Sequence, residues 1–116
     1  MSIILEAISR QKPDKIALIG DDQTLTYKEL AAAIDDMALG LDSVRVLGLA
    51  LENGIEWVLW DLAAIRAGIV CVPLPPFFSA EQRDYVIKAA GIRHIVTAEG
   101  ISNTDAAYTN SILSGT

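Results

Sequence analysis

An acidic pair, Asp21-Asp22, stands directly behind the apolar run Ile16-Ala-Leu-Ile19-Gly20. Two carboxylates at a strand end could hold a divalent cation and serve phosphoryl transfer to a nearby aspartate. That chemistry needs an acceptor Asp at the end of a second strand and a Lys beyond a later one. The apolar run ending at Leu51 offers Glu52 instead, and the later strand lacks the Lys. Asp21 and Asp22 are therefore read as a solvated turn. His94 opens an apolar run, and no Ser, Cys or carboxylate stands at a spacing that would make it a general base. Its expected role is structural. Cys71 is the lone cysteine and sits inside an apolar run, so it cannot form an intrachain disulfide. One Cys with one His makes no metal site, and a single buried thiol suits a reducing cytoplasm. Trp57 and Trp60 stand three apart in an apolar segment and read as core rather than as a stacking platform.

The remaining candidates lie where apolar strands should end, because ligands of open parallel sheets gather beyond the strands' carboxyl ends. Those ends carry Glu52-Asn53, Pro73-Leu-Pro-Pro76 and Thr97-Ala-Glu99. Asn53 is accounted for as a helix cap. Proline has no N–H with which to hold a phosphate, and its expected role is a rigid exit from the strand. Glu99 is left without an assigned role. No G-x-G-x-x-G, G-x-x-x-x-G-K-[ST] or G-x-S-x-G occurs. By its own residues the chain is a scaffold, with no catalytic, cofactor-binding or metal-binding residue expected.

The elements that position these residues are legible from period and punctuation. Residues 3 to 11 suggest a short helix with Ile4, Leu5 and Ile8 on one face, stopped at Pro13. Ile16 to Ile19 and Thr24 to Thr26 form a hairpin around Gly20-Asp-Asp-Gln23. Thr26-Tyr-Lys-Glu29 is a capping box, and Leu30, Ile34, Met37, Ala38 and Leu41 then follow at helical spacing over 27 to 40. Apolar strands are expected at 44–51, 69–74 and 93–97. Between them lie a helix at 54–67, apolar almost all round and stopped by Gly68, and one from Ser79 to about Ala90, stopped by Gly91. Continuous apolar strands separated by helices indicate parallel pairing. The fold class is α/β: a partial parallel sheet flanked by helices, with a small N-terminal β-hairpin. From Glu99 onward the pattern dissolves, and 101–116 reads as a loop or truncation edge.

Composition narrows the function classes. The 116 residues are 52% hydrophobic, with mean hydropathy +0.37, high for a domain with so much surface to cover. The best candidate run, Val58 to Ile65, is broken by Asp61 and closed by Arg66. It falls short of the roughly 18 to 20 residues a spanning helix needs, so no membrane span is expected. A missing neighbour that covers apolar faces is the better explanation. The N-terminus has no positive region ahead of its apolar run and does not read as a signal peptide. Net charge is −6 with nine scattered Lys and Arg, which argues against a nucleic-acid partner.

Leu25-Thr-Tyr-Lys-Glu-Leu30 resembles the L-T-Y-x-E-L signature of adenylate-forming enzymes, the superfamily of acyl- and aryl-CoA synthetases, luciferases and peptide-synthetase adenylation domains. Leu49-Ala-Leu-Glu-Asn53 with Glu56-Trp57-Val58 is similar to that family's next strand and helix. Ile65-Arg-Ala-Gly-Ile-Val-Cys-Val-Pro-Leu74 resembles its L-K-A-G-x-x-x-V-P-L signature, and Phe78-Ser-Ala-Glu-Gln82 through Thr97 its next helix and strand. The resemblance covers about residues 3 to 100, in order, which makes 1–100 an expected N-terminal subdomain. The family often has Asp-Pro or Asn-Pro after V-P-L. Here Pro75-Pro76-Phe77-Phe78 follows, which favours a fatty or aryl acid over an amino acid.

The resemblance implies a parent enzyme that joins a carboxylate to AMP and passes the acyl group to CoA or a carrier thiol, with ATP, Mg and CoA as cofactors. Its partners would be the remainder of that enzyme, a small carboxylic acid, and CoA or a carrier protein. The family's Ser/Thr/Gly-rich, Lys-bearing phosphate loop is not in this sequence. Ser114-Gly115-Thr116 resembles its start but arrives too soon after the third strand. No cofactor is expected to be bound by these residues alone. The rival expectation is a stand-alone, noncatalytic α/β module that binds a partner protein through uncovered apolar faces.

Overall fold

The computed structural model describes residues 3–52 and 54–103. They divide into two compact units, residues 3–43 with 54–69, and residues 44–52 with 70–103.

The first unit holds α1 (Ile3–Ser9), the hairpin strands β1 (Ile16–Ile19) and β2 (Thr24–Thr26), α2 (Tyr27–Leu39) and α3 (Ile55–Ala67). The hairpin is antiparallel, with Ile19 opposite Thr24 and a bulge between Ile16 and Leu18. Its turn is closed by the Gly20 N–H donating to the Gln23 carbonyl at 2.7 Å, and Asp21 and Asp22 are exposed there, as a solvated turn requires. The expected capping box starts α2: Thr26 Oγ1 accepts from the Glu29 amide at 3.2 Å, and Glu29 Oε1 accepts from the Thr26 amide at 2.9 Å. Leu30 and Ile34 of α2 then meet Leu59 and Leu62 of α3 and Leu25 of β2 in one buried cluster. Spacings of three and four bring those side chains to one face of each helix. In α1, Leu5 and Ile8 pack against this cluster, but Ile4 remains 49% exposed.

The helix α3 buries Leu59, Leu62, Ala63 and Ala64, more than any other described helix. Trp57 and Trp60 are half-buried rather than core. The Trp60 indole donates to Glu56 Oε2 at 3.2 Å, one turn earlier, which keeps its polar edge outward. The N-cap position of α3 is Gly54, which supplies no side-chain cap, and the cap expected from Asn53 lies outside the described residues. The Gly68 stop is as expected: left-handed at φ 73°, with the Ile69 amide reaching back to the Ala64 carbonyl at 3.0 Å.

The second unit is built on a four-stranded sheet in the order β4 (Val70–Pro73), β3 (Val46–Leu49), β5 (His94–Thr97), β6 (Gly100–Asn103), with α4 at Ala80–Ala90. The three expected strands are mutually parallel, β3 pairing with both β4 and β5. The sheet is mixed, because β6 adds an antiparallel edge with Thr97 opposite Gly100. That strand corrects the reading of 101–116 as loop, at least for residues 101–103; residues 104–116 lie outside the described residues. Gly100 adopts φ 115°, a conformation closed to most side chains, and this lets the chain reverse after Ala98-Glu99.

Alternation along the strands sends Val46 and Ala50 of the β3 segment, Val72 and Leu74 of the β4 segment and Ile95 of β5 to one face, where Ile92 and the α4 residues Val86 and Ile87 join them. The intervening Leu47, Leu49 and Val96 are at most 1% exposed, so both faces of β3 and β5 are buried, as parallel strands demand, whereas Val70 on the edge strand β4 is exposed. Gly48 sits on the α4-facing side. A Cβ there would lie 2.9 Å from Leu74 Cδ1 and 3.2 Å from Ile92 Cγ2. Absence of a side chain is what lets Leu74 and Ile92 close over the strand.

Candidate functional site

The carboxyl ends of β3, β4 and β5 belong to the second unit, and parallel pairing places them at one edge of the sheet. This edge is where a ligand of such a sheet would be met. Several of its backbone donors are engaged. The Leu74 amide donates to the Leu49 carbonyl at 2.8 Å, and the Ala50 amide to the Val96 carbonyl at 2.9 Å. After β4, Pro75 and Pro76 have no N–H to offer, and the Phe78 amide donates back to the Pro75 carbonyl at 3.1 Å. Phe77 and Phe78 meet edge to face, with ring centroids 5.5 Å apart. Phe77 is 81% exposed.

A helix that begins just beyond a strand end is an anion seat when its first amides are free. In α4 two of these positions are filled from within. Ser79 Oγ accepts from the Gln82 amide at 3.1 Å, and Gln82 Oε1 accepts from the Ser79 amide at 2.8 Å. Glu81 adds a carboxylate to the first turn, the sign that repels phosphate. Glu52 and Glu99 are both exposed, and the Glu99 amide is bound to Thr97 Oγ1 at 3.2 Å. The Arg45 and Arg93 positions precede β3 and β5, at the opposite ends of their strands, and Lys88 lies in the last turn of α4. Arg83 is half-buried in α4. These groups do not fit a magnesium-bound triphosphate: prolines, engaged amides and carboxylates offer no convergent set of donors around a cation.

The other chemistry-bearing residues are not brought together. His94 takes its expected place at the start of β5, half-buried, between Leu47 and Asn103 in the sheet register. Cys71 is half-buried within β4. Among the described residues no group of three or more His, Cys, Asp or Glu could hold a metal ion. In the first unit the ends of α2 and α3 border an open groove of about 580 Å³ lined by Asp35, Ala38, Leu39, Asp42, Arg66 and Ala67. There Arg66 Nε lies 3.3 Å from Asp35 Oδ1. Sequence alone does not pair these residues, because they stand on different helices.

The profile of the family described as AMP-binding enzyme matches residues 5–114, and the chain belongs to that family. Among curated relatives, a human mitochondrial medium-chain acyl-CoA ligase is 33% identical over 99 residues, 79% of this chain and 16% of that protein. Phosphinothricin tripeptide synthetase from Streptomyces viridochromogenes is 29% identical over 85% of this chain and 10% of that protein. Among solved structures, o-succinylbenzoate CoA synthetase from Bacillus subtilis, in complex with its acyl-adenylate intermediate, superimposes with a TM-score of 0.74. It shares 31% identity across 84% of this chain and 27% of that one. The N-terminal subdomain of Klebsiella oxytoca NpsA gives a TM-score of 0.72 at 29% identity, across 81% and 25%. The chain thus spans a small part of its curated relatives, and its fold is that of the N-terminal subdomain of adenylate-forming enzymes. No described helix is long and apolar enough to cross a membrane.

Proposed function

We propose that this chain is the N-terminal part of an AMP-forming ligase that joins a fatty or aryl acid to AMP and passes the acyl group to CoA or a carrier thiol. The observation that carries this reading is the family match over residues 5–114, in a fold shared with a CoA synthetase at 31% identity. The choice of a fatty or aryl acid rests on Pro75-Pro76-Phe77-Phe78, which stands where the resembled family often has Asp-Pro or Asn-Pro after V-P-L. In this reading residues 1–100 are a scaffold subdomain, and its partner is the remainder of the parent enzyme. A related synthetase is solved with ATP and magnesium. For this protein ATP, Mg and CoA are assigned to that remainder, since the strand ends described above do not fit a triphosphate. The setting we propose is the cytoplasm and fatty-acid metabolism; the lone Cys71 agrees with a reducing compartment.

The large exposed apolar side chains, Ile19, Phe77 and Tyr85 among them, also suit the rival reading of a stand-alone interaction module. The coding sequence beyond Thr116 separates the two. A continuing frame with a Ser/Thr/Gly-rich, Lys-bearing loop supports the ligase, and an immediate stop codon supports the module. The activity test is carboxylate-dependent exchange of labelled pyrophosphate into ATP, run on the product of the whole frame and on residues 1–116, free of host synthetases. Exchange by the whole product with a fatty or aryl acid, and none by residues 1–116, is the expected result. Exchange by residues 1–116 would overturn the scaffold role, and exchange only with amino acids would overturn the substrate class.

A further inference from the structure

We draw no further inference here: the strongest candidate, the open groove of about 350 Å³ that Phe78, Glu81, Gln82, Tyr85 and Val86 line along α4, is an apolar face for which nothing in the structure shows what covers it.

Discussion

The two long connecting helices of the α/β part are held by different physics. The segment α3 is apolar almost all round, has glycine at its N-cap position and buries four residues. By contrast, α4 has no fully buried residue, yet it opens with a complete capping box and closes with Gly91, left-handed at φ 68°. Tertiary contacts maintain the first, and local signals delimit the second. A helix of about a dozen residues is marginal in water, so each needs one support or the other. The contrast teaches where mutations should matter.

The largest expected effect lies in α3. Leu62→Ala empties a site that is 5% exposed, between Leu30, Ile34 and Leu59, and should cost about 2–5 kcal/mol by lost burial and the cavity left. A urea denaturation midpoint that barely moves would break the comparison. Trp60→Ala, at a half-buried position, should cost less than Leu62→Ala despite the larger side chain.

Next comes Gly48→Ala, which tests the same close packing on the sheet side. A methyl group 2.9 Å from Leu74 Cδ1 must push Leu74 or Ile92 aside, at about 1–3 kcal/mol. If thermal unfolding shows Gly48→Ala to be neutral or stabilising, the face between sheet and α4 has slack that its burial conceals.

For α4 the cap should be the sensitive point. Ser79→Ala removes the acceptor for the Gln82 amide and should cost about 1 kcal/mol, with Ser79→Asp recovering most of it. Hydrogen exchange of the first α4 amides reads this directly. Protection unchanged in Ser79→Ala would mean that α4 too is held by packing.

The smallest effect is expected at the Asp35–Arg66 pair, whose side chains are 59% and 55% exposed. A double-mutant cycle with alanine should give a coupling of about 0.2–1 kcal/mol, falling as salt is raised. A coupling well above that range, insensitive to salt, would show the pair to be shielded.

What the sequence determined by itself was whatever acts over a few residues. Thr26 and Glu29, or Gly68 after an apolar stretch, set element boundaries because capping and left-handed stops are made within one turn of chain. Apolar continuity likewise predicted parallel strands, since only strands buried on both faces tolerate it. The strand ends were located to within about two residues, β3 stopping at Leu49 and not at Leu51, and with them the edge beyond which a ligand would be sought. Tertiary structure decided the rest. Gly100-Ile-Ser-Asn103 is polar enough to read as loop, and it becomes β6 through backbone bonds to β5 that leave no mark in side-chain pattern. That β3 lies between β4 and β5 and that Arg66 meets Asp35 are likewise outcomes of assembly. In the strand order and the ion pair, segments distant in the chain are brought side by side. Neither is encoded by the spacing of residues along a single helix or strand.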